Sequence, residues 1–264
     1  MHSEACRIRA SRMHRSVNHS FESLNRYQLK LLATARVQIA EIYQSIQGEG
    51  LLAGTPSAFV RTSGCNLRCR WCDTPFTSWN PTGIEQSIEM IVDRVRLLAC
   101  RHVVLTGGEP LLFDEVVPLV HKLRDLSMHV TIETAGTISR DMQVDLMSIS
   151  PKLSGSAPSI DEHPLWYARH NAARHNKSAI VDLVRHSPYQ IKFVIDHLND
   201  VTEVDFWLAD LNCIDSRRVL LMPQGTDQID LQEKDLWLAE LCTERGFLFA
   251  PRHHIAWFGL TRGT

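Results

Sequence analysis

Short apolar, β-branched runs alternate with helical patterns along most of this 264-residue chain, and that alternation restricts the fold more than any other feature. Strands are expected at 37–43, 58–63, 102–106, 129–134, 144–150, 190–195, 218–223 and 246–250. Between them Ile84, Ile88, Ile91, Val95 and Leu98 recur at alternating spacings of four and three, one stripe of an amphipathic helix. Val116, Leu119, Val120 and Leu123 make a second, and 200–212 and 231–245 two more. Strand–helix alternation predicts an α/β protein with a largely parallel sheet, open or closed as a barrel. In such sheets chemistry gathers at the carboxyl ends of the strands. The polar stretch 154–188, with His163, His170, His175 and His186, breaks the rhythm. It reads as a surface insertion with a helix near 164–184, metal binding or a lid being the alternative.

Charge and cysteine content narrow the class. A net charge of −2 argues against a general nucleic-acid binder, and no apolar run is long enough to predict a membrane span. Residues 1–36 hold seven basic residues against two acids. This extension reads as solvated or partly helical, with a transit peptide as the alternative; residues 37–264 form the expected main domain. Seven cysteines cannot all pair, and without a secretion signal a reducing cytoplasm is expected. Cys100, Cys213 and Cys242 sit in apolar surroundings and read as inert thiols; Cys6 lies in the extension.

The remaining cysteines carry the chemistry. "GCNLRCRWCDT" (64–74) places Cys65, Cys69 and Cys72 at spacings of four and three. Thiolates suit zinc or iron–sulfur clusters. Structural zinc wants four ligands, and no second cysteine pair is present. A [4Fe–4S] cluster normally takes four cysteines, so three would leave one iron open to another ligand. "VVLTGGEP" (103–110) runs a strand into two glycines, which permit close backbone approach, followed by Glu109, able to accept from an ammonium. "ETAG" (133–136), "SPK" (150–152) and "LMPQGT" (221–226) close later strands.

The triplet together with the GGE segment resembles the radical S-adenosylmethionine (SAM) superfamily. The preceding "EIYQSIQGEGLLAGTPSAFVRTSGCNLRCRWCDT" (41–74) resembles its 7-carboxy-7-deazaguanine synthase family. The resemblance covers about 37–264 and implies an open, partial β/α barrel. It implies conversion of 6-carboxy-5,6,7,8-tetrahydropterin to 7-carboxy-7-deazaguanine with loss of ammonia. A 5′-deoxyadenosyl radical would abstract hydrogen from the pterin, and SAM would be regenerated. On this resemblance Cys65, Cys69 and Cys72 hold the cluster and Thr74 a magnesium ion. Trp71, Cys72, Asp73, Gly108 and Glu109 lie along SAM, as do Glu133 and the segments Ser150, Pro151, Lys152 and Met222, Pro223, Gln224, Gly225. Ile46, Gln47, Gly48 and Thr106 contact the pterin, and Arg61 grips its carboxylate. Some members end in a proline whose carboxylate meets the substrate; here Thr264 stands last. A flavodoxin-like reductant and a homodimer are further implications. An activase acting on a partner polypeptide and a zinc-stabilised binding module are the rival readings.

Overall fold

The computed structural model describes residues 35–264, and Arg36–Thr264 make one compact unit. All but the last two residues of the basic extension, Cys6 included, lie outside the described residues. The strands are β1 (Arg36–Ile46), β2 (Pro56–Thr62), β3 (Ile84–Ser87), β4 (His102–Gly107), β5 (His129–Thr134), β6 (Leu146–Ile149), β7 (Tyr189–Ile195), β8 (Val219–Pro223) and β9 (Leu248–Phe249). They form one sheet in the order β3-β1-β2-β4-β5-β6-β7-β8-β9. Pairing is parallel from β2 onward, and β1 runs antiparallel to both β2 and β3. The ends, β3 and β9, do not pair, so the expected α/β fold is present as an open barrel.

The helices are α1 (Pro75–Ser78), α2 (Ile88–Leu97), α3 (Val116–Asp125), α4 (Pro164–Arg174), α5 (Lys177–His186), α6 (Asp200–Leu211), α7 (Gln228–Arg245) and α8 (His253–Phe258). Ile88, Ile91 and Val95 of α2, and Val116, Leu119, Val120 and Leu123 of α3, are fully buried, as their periodicity requires. The central strands bury both faces, so Val103, Val104, Val130, Ile132, Ile191, Phe193 and Val219 form near-continuous apolar runs. Side-chain caps set several helix starts: Ser87 Oγ accepts from Met90 N–H, and Asp227 Oδ1 from Ile229 and Asp230.

Two expectations need correction. Ile84 is not on the helical stripe; it sits on edge strand β3, largely exposed, and the chain turns helical only after the Ser87 cap. Residues 154–188 do not decorate the surface. They contain α4 and α5, the whole connection between β6 and β7, and α5 buries Ala179, Ile180 and Leu183. Their polar composition reflects two short helices with one apolar stripe between them.

Candidate functional site

Every parallel strand delivers its carboxyl end to one rim, and backbone packing there shapes the cysteine loop. β2 runs through Ser63 and Gly64 into Cys65, beside the Gly107–Gly108 end of β4. A Cβ on Gly108 would lie 2.1 Å from Gly64 O, and one on Gly107 2.2 Å from Thr62 O; Gly107 also has φ 134°. Gly108 N–H donates to Thr62 O (3.2 Å), Glu109 N–H to Gly64 O (2.9 Å) and Gly64 N–H to Thr77 O (2.8 Å). The double glycine therefore lets two strand ends and α1 close around the start of the cysteine loop. Gly48 does similar work: its added Cβ would meet His254 N at 2.6 Å, where α8 packs on the β1–β2 turn.

Cys65, Cys69 and Cys72 are unpaired, half-buried thiols facing one cavity. Burial pushes the Cys65 thiol up to about 12, helped by Glu109 and the other two cysteines. Burial likewise pushes Cys69 up to about 11, against the pull of Lys152. Such thiols ionise readily only when a cation replaces the proton. They feel one another's charge, yet among the described residues no three His, Cys, Asp or Glu side chains converge on a point fit for one ion. That spread suits a cubane, which binds each thiolate to a different iron, better than a tetrahedral zinc. The donor set thus fits a cluster.

The cavity has a volume of about 330 Å³, within the range for a small-ligand pocket. It brings together most of the residues expected from sequence. On the cofactor side Trp71, Asp73, Thr74, Gly108, Glu133, Ser150, Lys152, Met222 and Gln224 line it; on the substrate side Ile46, Gln47, Gly48, Arg61, Thr106 and Thr264 do. Pro151, Pro223 and Gly225 are buried outside the lining. Glu109 lies behind the wall, 0% exposed. Its Oε1 accepts from Leu111 N–H (3.1 Å) and Thr134 Oγ1 (2.8 Å), and its Oε2 from Ala135 N–H (2.8 Å). The carboxylate expected to meet an ammonium ties the GGE turn to the end of β5. Lys152 also folds inward, donating to Ser150 O and Oγ. The main chain of Gln47 is engaged with Thr55 and Gly54, and its amide nitrogen donates to Ser57 Oγ (2.9 Å).

Sequence reasoning missed a charged network on the substrate side. Glu49 pairs with Lys192, stands 3.4 Å from His254 Nδ1 and 3.8 Å from Arg252 Nε. Arg252 also binds the Asp73 carboxylate and donates to Gly225 O. Burial would push the Glu49 carboxyl up; Lys192, His254 and Arg252 outweigh it and hold the group well below the usual carboxylate range. Lys192 is raised: burial lowers it, but Glu49 more than compensates. A lysine inside the apolar run "QIKFVI" was the available signal, since a buried cation in a parallel strand needs a partner. Arg61 is also already engaged. Its Nε donates to Glu41 Oε1 (2.8 Å) and its Nη2 to Tyr43 Oη (2.6 Å). Glu41 meets in addition Arg262 Nε (3.3 Å), whose guanidinium stacks on Phe76.

Comparison with known proteins agrees with this geometry. The Radical SAM superfamily model matches residues 59–203. The chain is 44% identical over 228 residues to a 7-carboxy-7-deazaguanine synthase of Halobacterium salinarum, covering 83% of this chain and 89% of that protein. It is 43% identical over 227 residues to one of Rhodopirellula baltica, covering 86% and 88%. The crystal structure of QueE from Escherichia coli superposes with a TM-score of 0.67 at 25% identity, over 86% of this chain and 98% of that one.

Proposed function

The chain belongs to the 7-carboxy-7-deazaguanine synthase family of the radical SAM superfamily, and from that premise we propose that it converts 6-carboxy-5,6,7,8-tetrahydropterin to 7-carboxy-7-deazaguanine, releasing ammonia and regenerating SAM, in queuosine and 7-deazapurine synthesis. The observation that carries this reading is the single cavity with Cys65, Cys69 and Cys72 on one side and Arg61, Glu49 and Lys192 on another. A [4Fe–4S] cluster and SAM, when bound, supply the carbon-centred radical that such a ring contraction needs.

The protein's own groups bind, orient and exclude water. Cys65, Cys69 and Cys72 anchor the cluster. Arg61 receives the pterin carboxylate; Glu41 and Tyr43 hold its guanidinium in place beforehand, which lowers the ordering cost of binding. Glu49 and Lys192 present a fixed acceptor and donor to a flat, polar heterocycle. Thr74 Oγ1, which accepts from Thr77 Oγ1 at 3.1 Å, offers a hard oxygen to Mg²⁺, an ion that also draws on substrate oxygens. Arg252 steadies Asp73 beside it. Phe258 to Thr264 complete the wall, with Arg262 on Phe76 holding that tail closed. The electron comes from outside, from a flavodoxin-like donor, and the working unit is a homodimer.

The test is anaerobic. Reconstituted, reduced protein is mixed with SAM, Mg²⁺ and 6-carboxytetrahydropterin and the products are read by mass. The reading predicts 7-carboxy-7-deazaguanine and ammonia, with SAM not consumed in proportion. Absence of a deazaguanine, with 5′-deoxyadenosine formed only beside a partner polypeptide, would overturn it.

A further inference from the structure

We infer that the β6–β7 connection is a buttress for the cysteine loop, and that His170 is the positioning residue at its centre. The inference rests on the cluster reading above. Four contacts join the two segments, and each falls between or beside cluster anchors. Arg68, between Cys65 and Cys69, donates its backbone N–H to His170 Nδ1 (3.2 Å). The Arg68 guanidinium donates to Cys65 O and Leu67 O (both 2.8 Å) while stacked 3.9 Å from the Trp166 ring centroid. Arg70 N–H donates to Ser156 O (3.0 Å). Trp79, whose Nε1–H donates to Cys69 O (3.0 Å), packs against His163 at 4.8 Å between ring centroids.

His170 is fully buried, and its hydrogen bonds define its state. Nδ1 accepts from Arg68, so the neutral ring carries its proton on Nε2, which donates to Ser156 Oγ (3.0 Å); that hydroxyl donates to Leu153 O (2.6 Å). Burial, with Arg174 and Lys152 nearby, pulls the imidazole down to about 4, so the ring stays neutral at physiological pH. Every polar atom of the chain is satisfied. A loop that must present three thiolates to three irons gains from such fixation, because backbone scatter there becomes scatter in anchor position. An ordinary core histidine would hold its own helix; this one holds the amide of the loop across from it.

The experiment compares wild type with His170→Ala, His170→Asn and Trp166→Ala. Amide hydrogen exchange of residues 64–72 is measured in cluster-free protein, and iron release to a chelator in reconstituted protein. His170→Ala orphans the buried Arg68 N–H and is expected to speed both by about fivefold or more, leaving exchange in β4 and β5 unchanged. The Asn side chain offers an acceptor near the Nδ1 position and is expected to restore most of the protection. Trp166→Ala, which frees the Arg68 guanidinium with His170 in place, is expected to speed iron release and keeps the comparison available if His170→Ala does not fold. Wild-type exchange and iron release in both alanine variants would overturn the inference. So would acceleration spread evenly over the sheet, the mark of a general core defect. If wild type itself takes up no iron and sulfide, the cluster reading fails, and exchange in the cluster-free protein still decides whether the buttress exists.

Discussion

Replacing Glu49 by Gln removes the one carboxylate shared by Lys192, Arg252 and His254 and leaves a lysine of 6% side-chain exposure beside a neutral amide. Breaking a buried pair by deleting one partner costs about 3–5 kcal/mol. Glu49 keeps 19% side-chain exposure, so the lower end applies, about 3 kcal/mol. For a domain of this size that lowers Tm by about 6–12 °C. The assay is denaturant unfolding of cluster-free wild type, Glu49→Gln, Lys192→Met and the double variant. Removing both charges relieves the orphaned lysine, so the double variant should recover most of the loss, with a coupling of about 2 kcal/mol. Acid supplies a second readout. The folded carboxyl titrates below its ordinary 4.5, so its contribution is complete above that pH and is lost as pH falls through the folded value; the gap between wild type and Glu49→Gln should narrow in the same direction. A single-variant cost under about 1 kcal/mol, or a double variant no better than the worse single, would refute the reasoning.

Arg61→Ala should leave iron content unchanged and weaken pterin binding by about 30- to 150-fold, a loss of roughly 2–3 kcal/mol of charge-assisted bonding; titration of the substrate into reconstituted protein decides it. Gly108→Ala forces a methyl onto Gly64 O and should lower iron loading after reconstitution, with a stability cost of about 1–3 kcal/mol; wild-type loading would show that the strand ends yield freely. His170 titrates near 4 in the fold and 6.5 when free, so the unfolded chain binds the extra proton between those values. Stability should therefore fall by on the order of 3 kcal/mol as pH drops from 6.5 to 4, and His170→Asn should flatten that limb in an unfolding series across pH.

The strands were legible because β-branched runs between breakers are what a two-face-buried parallel sheet requires, and β5 matches its expected limits, 129–134. The cysteine spacing and the GGE turn were legible because their chemistry is local in sequence. The charged network was not: Glu49, Lys192 and Arg252 come from three distant segments, and each alone reads as an ordinary surface charge. Glu109 was placed on the right turn, but its rotamer faces Thr134 and Ala135, which only the folded β4–β5 pairing reveals. Residues 154–188 looked like an insertion because the residues that hold the cysteine loop, Ser156, Trp166 and His170, follow no apolar period. Ile84 fitted a helical stripe by spacing, and its exposure on β3 shows the Ser87 cap overriding that periodicity.

The account's central claim is an iron that the three cysteines leave free for SAM. Mössbauer spectroscopy of ⁵⁷Fe-reconstituted protein tests it directly, recorded with and without SAM. A cluster held by Cys65, Cys69 and Cys72 predicts that one iron in four changes its isomer shift when SAM is added, while the other three keep tetrahedral thiolate values. Four irons that remain alike in the presence of SAM, or protein that retains no iron and sulfide, would contradict it.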